Sequence, residues 1–336
     1  MKHRQNRIEA YERQEYEIYT DLALEEREKY ERNVEISGVV LEKKQIESLS
    51  MTVTKMVIED KDGAAAMGKP EGTYITIESR MFMDEEEIYN KISAGSSEND
   101  IRRQLQKVND RLSKVIFEEI KKIIKKLKKS TANGKILIVG LGNENATPDA
   151  LGPVTAGLIN IRENVTCIAP GVLAQTGMET YRIVKGIVRE EKPDLIIAID
   201  SLAARNTSRV ATTVQITDTG ITPGSGIGNH RMGLNKETLG IPVIAIGVPM
   251  VVNSVTIVHD TMEQLLEMFK KYEELNDVTR GFSVFNREEK YILIDEIMSG
   301  AMGKMYVTPK DVDEMISRIG KILAQAINMI SVETQT

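Results

Sequence analysis

The sequence predicts an α/β protein: a central mixed, largely parallel sheet with helices on both faces, plus a small N-terminal β-rich subdomain. Three observations predict it. Residues 136–140 (ILIVG) and 195–199 (LIIAI) are apolar without interruption, as strands covered on both faces must be. After Gly134, strand-like runs alternate with helical periodicity, the order expected of a parallel sheet. Between about residues 37 and 79, three β-rich runs are separated only by short stretches with turn signals at Asp62-Gly63 and Gly68-Lys69-Pro70, the pattern of a small antiparallel sheet.

Taken in order, residues 1–33 are dense in Glu, Arg, Tyr and Lys and predict a mobile arm or surface helix rather than a core element. Strands follow at 38–44, 50–60 and 73–79. Ser96 to Asp100 then supply N-cap chemistry for a helix whose apolar residues recur at Ile101, Leu105, Val108, Leu112, Ile116, Ile120, Ile123 and Leu127. Its lysine-rich end fits either a membrane-surface helix or a packed helix with a solvated face. The width of the apolar stripe favours packing. Further strands are expected at 135–142, 166–170, 194–200, 210–217 and 242–249, and helices at 148–161, 178–191, 259–275, 288–298 and 308–331. One α/β domain results, with a core over about 134–336 and a β-rich embellishment over about 34–80.

Composition narrows the chemistry. The single cysteine, Cys167, excludes an internal disulfide and a cysteine-rich zinc site. His3, His230 and His259 form no H-E-x-x-H and no helical pair, so a conventional metallohydrolase is not indicated. A formal charge of −6 argues against bulk-charge binding of nucleic acid. No apolar run reaches the roughly 20 residues that span a bilayer, and the charged N-terminus lacks a signal-peptide core. A cytoplasmic protein is expected.

In open α/β sheets, ligands bind beyond the carboxyl ends of the strands. Gly140-Leu141-Gly142 follows a strand, but Asn145 stands where a dinucleotide fingerprint needs its third glycine. The Gly-rich stretch 220–228 lacks the lysine and serine of a phosphate loop. Two carboxylates are more informative. Asp149 sits in Thr147-Pro148-Asp149, a helix-start pattern in which an acid can simply complement the helix dipole. Asp200 ends an apolar strand, where a carboxylate is expensive to desolvate. If the two shared a site, one pKa would rise while the other stayed low, and the pair could activate a water against a carbonyl. Cys167 reads as an inert core thiol, and no G-x-S-x-G supports a serine triad with His230 or His259.

The strings Ile138 to Asn143, Thr147 to Pro153, Ile197 to Arg205, Gly224 to Asn229, Thr238 to Gly247 and Val307 to Lys310 together resemble the germination protease family of spore-forming bacteria. The resemblance runs from Thr20-Asp21-Leu22-Ala23 to the C-terminal helix. It implies an atypical aspartic-type endopeptidase with Asp149 and Asp200 as the functional acids and a fold similar to hydrogenase maturation endopeptidases. It further implies substrates among small acid-soluble spore proteins, cut after an acidic residue in Thr-Glu-Ile/Phe-Ala-like sites. The family implies a self-processing zymogen, a homotetramer, and residence in the developing forespore and spore core. Thr20-Asp21-Leu22-Ala23 copies the cleavage pattern, so processing is expected between Asp21 and Leu22, with residues 1–21 as propeptide and 22–336 as the peptidase domain. Asn143, Ser201, Arg205 and Gly226 are candidate substrate-binding residues. No metal, cofactor, membrane or direct nucleic-acid partner is expected. The alternatives are a peptidyl-tRNA hydrolase, disfavoured by the missing R-H-N-x-G motif, a metal-sensing maturation endopeptidase, and a non-catalytic α/β scaffold.

Overall fold

The computed structural model describes residues 20–31, 34–83, 97–127, 134–224, 232–302 and 305–333. Its strands are β1 (Val39–Ile46), β2 (Met51–Ile58), β3 (Gly72–Ser79), β4 (Ile136–Gly140), β5 (Val165–Ile168), β6 (Leu195–Ala204), β7 (Thr213–Thr217), β8 (Val243–Asn253) and β9 (Tyr306–Val307). The helices are α1 (Ala23–Arg27), α2 (Lys61–Met67), α3 (Glu98–Leu127), α4 (Leu151–Ala156), α5 (Leu173–Thr176), α6 (Thr180–Glu191), α7 (Lys236–Leu239), α8 (Ser254–Phe269), α9 (Asn276–Phe282), α10 (Arg287–Met302) and α11 (Val312–Glu333).

All the described strands join one mixed sheet in the order β1-β2-β3-β7-β8-β6-β4-β5, with β9 also paired to β8. β5, β4, β6 and β8 run parallel, whereas β1, β2, β3 and β7 pair antiparallel and β7 joins β8 antiparallel. The expected β-rich embellishment therefore continues the core sheet through the β3–β7 pairing.

Alternation along the buried strands sorts side chains to two faces. Ile136, Ile138, Ile197 and Ile199 join Leu112, Ile116 and Ile120 of α3 and Ile319 and Leu323 of α11 in one core. Leu137, Val139, Ile196 and Ala198 meet Val184 of α6 on the other face. The lysines of α3 lie outside that core, and Lys126 ties the helix to the sheet by donating to Thr73 Oγ1 (2.6 Å) and Asp218 (3.1 Å). α3 is thus a packed helix, as its stripe predicts.

Several boundaries differ from expectation: β6 runs past Asp200 to Ala204, so that acid lies within the strand rather than at its end, and three more differences bear on the site. Strand β8 extends to Asn253, whose side chain accepts the Val255 N–H and starts α8 five residues before the expected 259. The expected helix 148–161 is only α4, because Thr147–Asp149 forms a separate 3₁₀ turn and α4 stops at Ala156. The third concerns the N-terminal arm. Residues 1–19 lie outside the described residues, but from Thr20 onward the chain is docked: Leu22 and Ala23 are fully buried and Ala23 packs with Met56, Met67 and Tyr74. Charge density in this segment does not mean exposure, because its acids find buried partners. Glu25 accepts N–H groups from Arg205 (2.7 Å) and Asn206 (2.9 Å) and the Thr20 hydroxyl, and Arg209 lies 3.4 Å away.

Candidate active site

The sequence passes from β4 to β5 on one side and then to β6 on the other, so the chain reverses its direction of travel at the β4/β6 boundary. Such a switch point opens a crevice at the carboxyl ends of the two strands. Both acids singled out in the sequence reach it, Asp149 from the loop after β4 and Asp200 from within β6.

The loop is built around Gly142. Its φ of +112° is a conformation that side chains rarely adopt, and a Cβ there would stand 2.0 Å from the Asp149 carbonyl oxygen. Close backbone approach lets the Asn143 N–H reach both the Asp149 carbonyl (3.1 Å) and its carboxylate Oδ2 (2.8 Å). Asp149 thus turns back onto its own loop, and Thr147 makes no side-chain cap for the 3₁₀ turn whose cap position Ala146 occupies. Gly152, at the start of α4, allows equally tight packing on Leu141 and Ile199.

Asp200 follows Ile199, the last β6 residue paired to β4, and lies opposite Gly247 of β8. It is 5% exposed. Burial pushes its carboxyl well above the usual range, the charges of Asp149 and Asp21 raise it further, and the Ser201 N–H, donating at 2.9 Å, partly offsets them. Asp200 therefore holds its proton to higher pH than an ordinary aspartate.

Asp21, Asp149 and Asp200 line one cavity of about 400 Å³, together with Asn143, Ser201, Thr222, Gly224 and Tyr306. Asn143 contributes an oriented side chain, since its Oδ1 accepts from Gln175 Nε2 at 2.6 Å. The buried Ser201 hydroxyl has no hydrogen-bond partner among the described residues. Arg205 is not part of this wall; it acts electrostatically on Tyr291 of α10. Gly226 and His230 lie outside the described residues. His259 is buried in α8 beside Tyr291, and burial raises the Cys167 thiol to about 11. Among the described residues no group of three or more His, Cys, Asp and Glu is placed to hold a metal ion, and no helix is long and apolar enough to cross a membrane.

Tyr306 was not legible as a site residue. It arrives from the two-residue strand β9, and burial followed by the charge of Asp21 raises its pKa. Nor was the placement of Asp21 legible. Its N–H donates to the Ala203 carbonyl (3.1 Å) and its carboxylate accepts the Ala203 N–H (2.8 Å), which fastens the segment to the end of β6.

Comparison with known proteins makes the chain a peptidase. It belongs to the germination protease family, whose model matches residues 17–285. The germination protease of Caldanaerobacter subterraneus subsp. tengcongensis is 41% identical, with 93% of each chain covered. That of Clostridium perfringens (strain ATCC 13124) is 40% identical over 94% of this chain and 95% of the relative, and that of Bacillus subtilis (strain 168) 36% over 94% and 93%. Among solved structures, a [NiFe] hydrogenase maturation protease HycI from Thermococcus kodakarensis KOD1 matches 38% of this chain and 80% of its own, with 23% identity and a TM-score of 0.29.

Proposed function

We propose that the chain is an aspartic-type endopeptidase that begins the degradation of small acid-soluble spore proteins during germination. Cleavage falls after an acidic residue in Thr-Glu-Ile/Phe-Ala-like sequences. One observation carries this reading: Asp149 and Asp200 line the same cavity, and the chain's own Thr20-Asp21-Leu22-Ala23 segment presents Asp21 to it.

The unequal environments of the two acids divide the labour. Asp149, half-buried and held by the Asn143 N–H, accepts a proton from a water as its oxygen adds to the carbonyl carbon. Asp200, whose carboxyl holds its proton to higher pH, bonds the water and the developing tetrahedral centre. When the C–N bond breaks, its electron pair stays on nitrogen, which takes a proton from the pair, and the products are a carboxylic acid and an amine. Ser201 and Asn143 position substrate at the cavity wall, whereas Arg205 lies outside that lining.

In the same reading, the enzyme is made as a zymogen that cuts between Asp21 and Leu22 and sheds residues 1–21. It works in the spore core as a homotetramer. The exposed apolar side chains of Val258, Leu265 and Met268 on α8 and Ile297 on α10 are consistent with subunit contacts. The test is Asp149→Asn and Asp200→Asn, assayed on a Thr-Glu-Ile-Ala peptide with a chelator control. Each variant is expected to lose cleavage while keeping its fold. Wild-type turnover in either would end the acid-pair mechanism, and loss of wild-type activity with chelator would replace it.

A further inference from the structure

The main chain around residues 21 and 22 is gripped by Lys69 and Gln215, neither of which lines the cavity of Asp149 and Asp200. Lys69 Nζ donates to the carbonyl oxygens of Thr20 (2.9 Å) and Asp21 (3.4 Å). Gln215 spans the next bond: its Nε2 donates to the Asp21 carbonyl at 3.2 Å and its Oε1 accepts the Ala23 N–H at 2.7 Å. The Asp21 carbonyl oxygen thus receives an ammonium and an amide donor, and the main chain is clamped on both sides of the Asp21–Leu22 bond. The clamp is rigid. Gln215 is buried in β7, paired to Thr76 of β3 and Gly247 of β8. Lys69 follows Gly68, which ends α2 in the left-handed conformation (φ +57°).

Asp21 also lines two cavities. One, of about 400 Å³, holds Asp149 and Asp200; the other, of about 300 Å³, is walled by Lys69, Gln215, Thr217 and Asn235. Carboxylates face the peptide from one cavity and hydrogen-bond donors from the other. Donors fixed at a carbonyl oxygen before reaction are the feature that stabilises a tetrahedral oxyanion.

The structure assigns to Lys69 and Gln215 the role of carbonyl polarisers for the bond that Asp149 and Asp200 cut, first in the chain's own segment and afterwards in a substrate strand laid along the same path. The assignment rests on the acid-pair reading above. As water oxygen bonds to the carbonyl carbon, the C=O π pair moves onto oxygen, where the Lys69 ammonium and the Gln215 N–H receive it. The pair returns to re-form C=O when the C–N bond breaks. Neither group gains or loses a proton over the cycle.

Lys69→Met, Lys69→Arg and Gln215→Glu separate this role from simple anchoring. Gln215→Glu keeps an acceptor for the Ala23 N–H and removes the donor to the carbonyl. Conversion of the full-length chain is followed by mass, and docking of the segment by hydrogen exchange at the Ala23 amide. Lys69→Met and Gln215→Glu are expected to slow cleavage at Asp21–Leu22 by about 10²–10³-fold, the typical effect of losing one oxyanion donor, with the Ala23 amide still protected. Lys69→Arg is expected to retain most of the rate. Slowing accompanied by lost protection would mark the pair as anchors and overturn the assignment. So would conversion at the wild-type rate in both Lys69→Met and Gln215→Glu, and if Asp149→Asn were inactive the acid pair would still stand. Wild-type conversion in Asp149→Asn or Asp200→Asn would remove the acid-pair reading and this assignment together, whereas cleavage of the wild-type chain at a different bond, or none, would overturn this assignment alone.

Discussion

Replacing Arg209 with Met keeps the bulk of the side chain and deletes the cation that holds the N-terminal segment in place. Arg209 is 6% exposed. It forms two bonds of 2.7 Å to Glu28, one of 3.0 Å to Glu78, and stands 3.4 Å from Glu25. Burial alone would disfavour its charge, but Glu28, Glu78 and Glu25 more than offset this and strengthen it. Removing one partner of a buried pair costs about 3–5 kcal/mol, because the other charge stays behind. Here that charge is Glu25, 1% exposed. It keeps the Thr20 hydroxyl and the Arg205 and Asn206 N–H groups, while Glu28 can turn to water. The lower bound of about 3 kcal/mol therefore applies. Urea unfolding should report that loss, and hydrogen exchange at the Ala23 amide should quicken about 10²-fold, since each 1.4 kcal/mol is a factor of ten. A double-mutant cycle with Glu25→Gln isolates the pair. A loss below about 0.5 kcal/mol with unchanged exchange would refute the view that these charges fasten the segment.

Asp200 makes stability depend on pH with a definite sign. Its folded pKa lies above the unfolded value, so its contribution is fully present below about 3.8 and is lost as pH rises through the folded pKa. Asp200→Asn should remove that slope, so the variant should gain midpoint stability over wild type as pH rises; parallel curves would contradict the raised pKa. Gly142→Ala should displace Asp149, because the new Cβ meets the Asp149 carbonyl at 2.0 Å; cleavage should fall at least tenfold together with the melting temperature, and a fully active variant would show the loop to be pliant. Cys167, with its thiol raised to about 11, should be only about one part in a thousand thiolate at pH 8; alkylation as fast as a free thiol would count against its burial.

What could be read in advance was local. ILIVG and LIIAI announce strands covered on both faces because every residue in them is apolar, and the acid after LIIAI stands out against that run. Asp149 was visible as an acid after a strand, yet its contact is with the Asn143 N–H rather than the helix start, since that depends on how Gly142 folds the loop. The segment 20–26 was misread for a non-local reason: Glu25 looks solvated until Arg205, Asn206 and Arg209, some 180 residues away, supply its partners. Gln215 and Lys69 were invisible on the same ground. A glutamine in a strand and a lysine in a turn carry no signal until the fold lays residues 20–23 across them.

The packing of α11 has a consequence in time. This last helix lies against α4 and against the 147–149 turn that carries Asp149, and its Gly320 allows close approach to Val154 and Thr155. Part of the support beneath one acid is therefore synthesised well after both acids. A nascent chain exposes the Thr20–Ala23 sequence and then both aspartates long before residues 312–333 leave the ribosome at about 5–20 residues per second. Until that helix docks, the turn bearing Asp149 rests on β6, β8 and α4 alone among the elements it packs against.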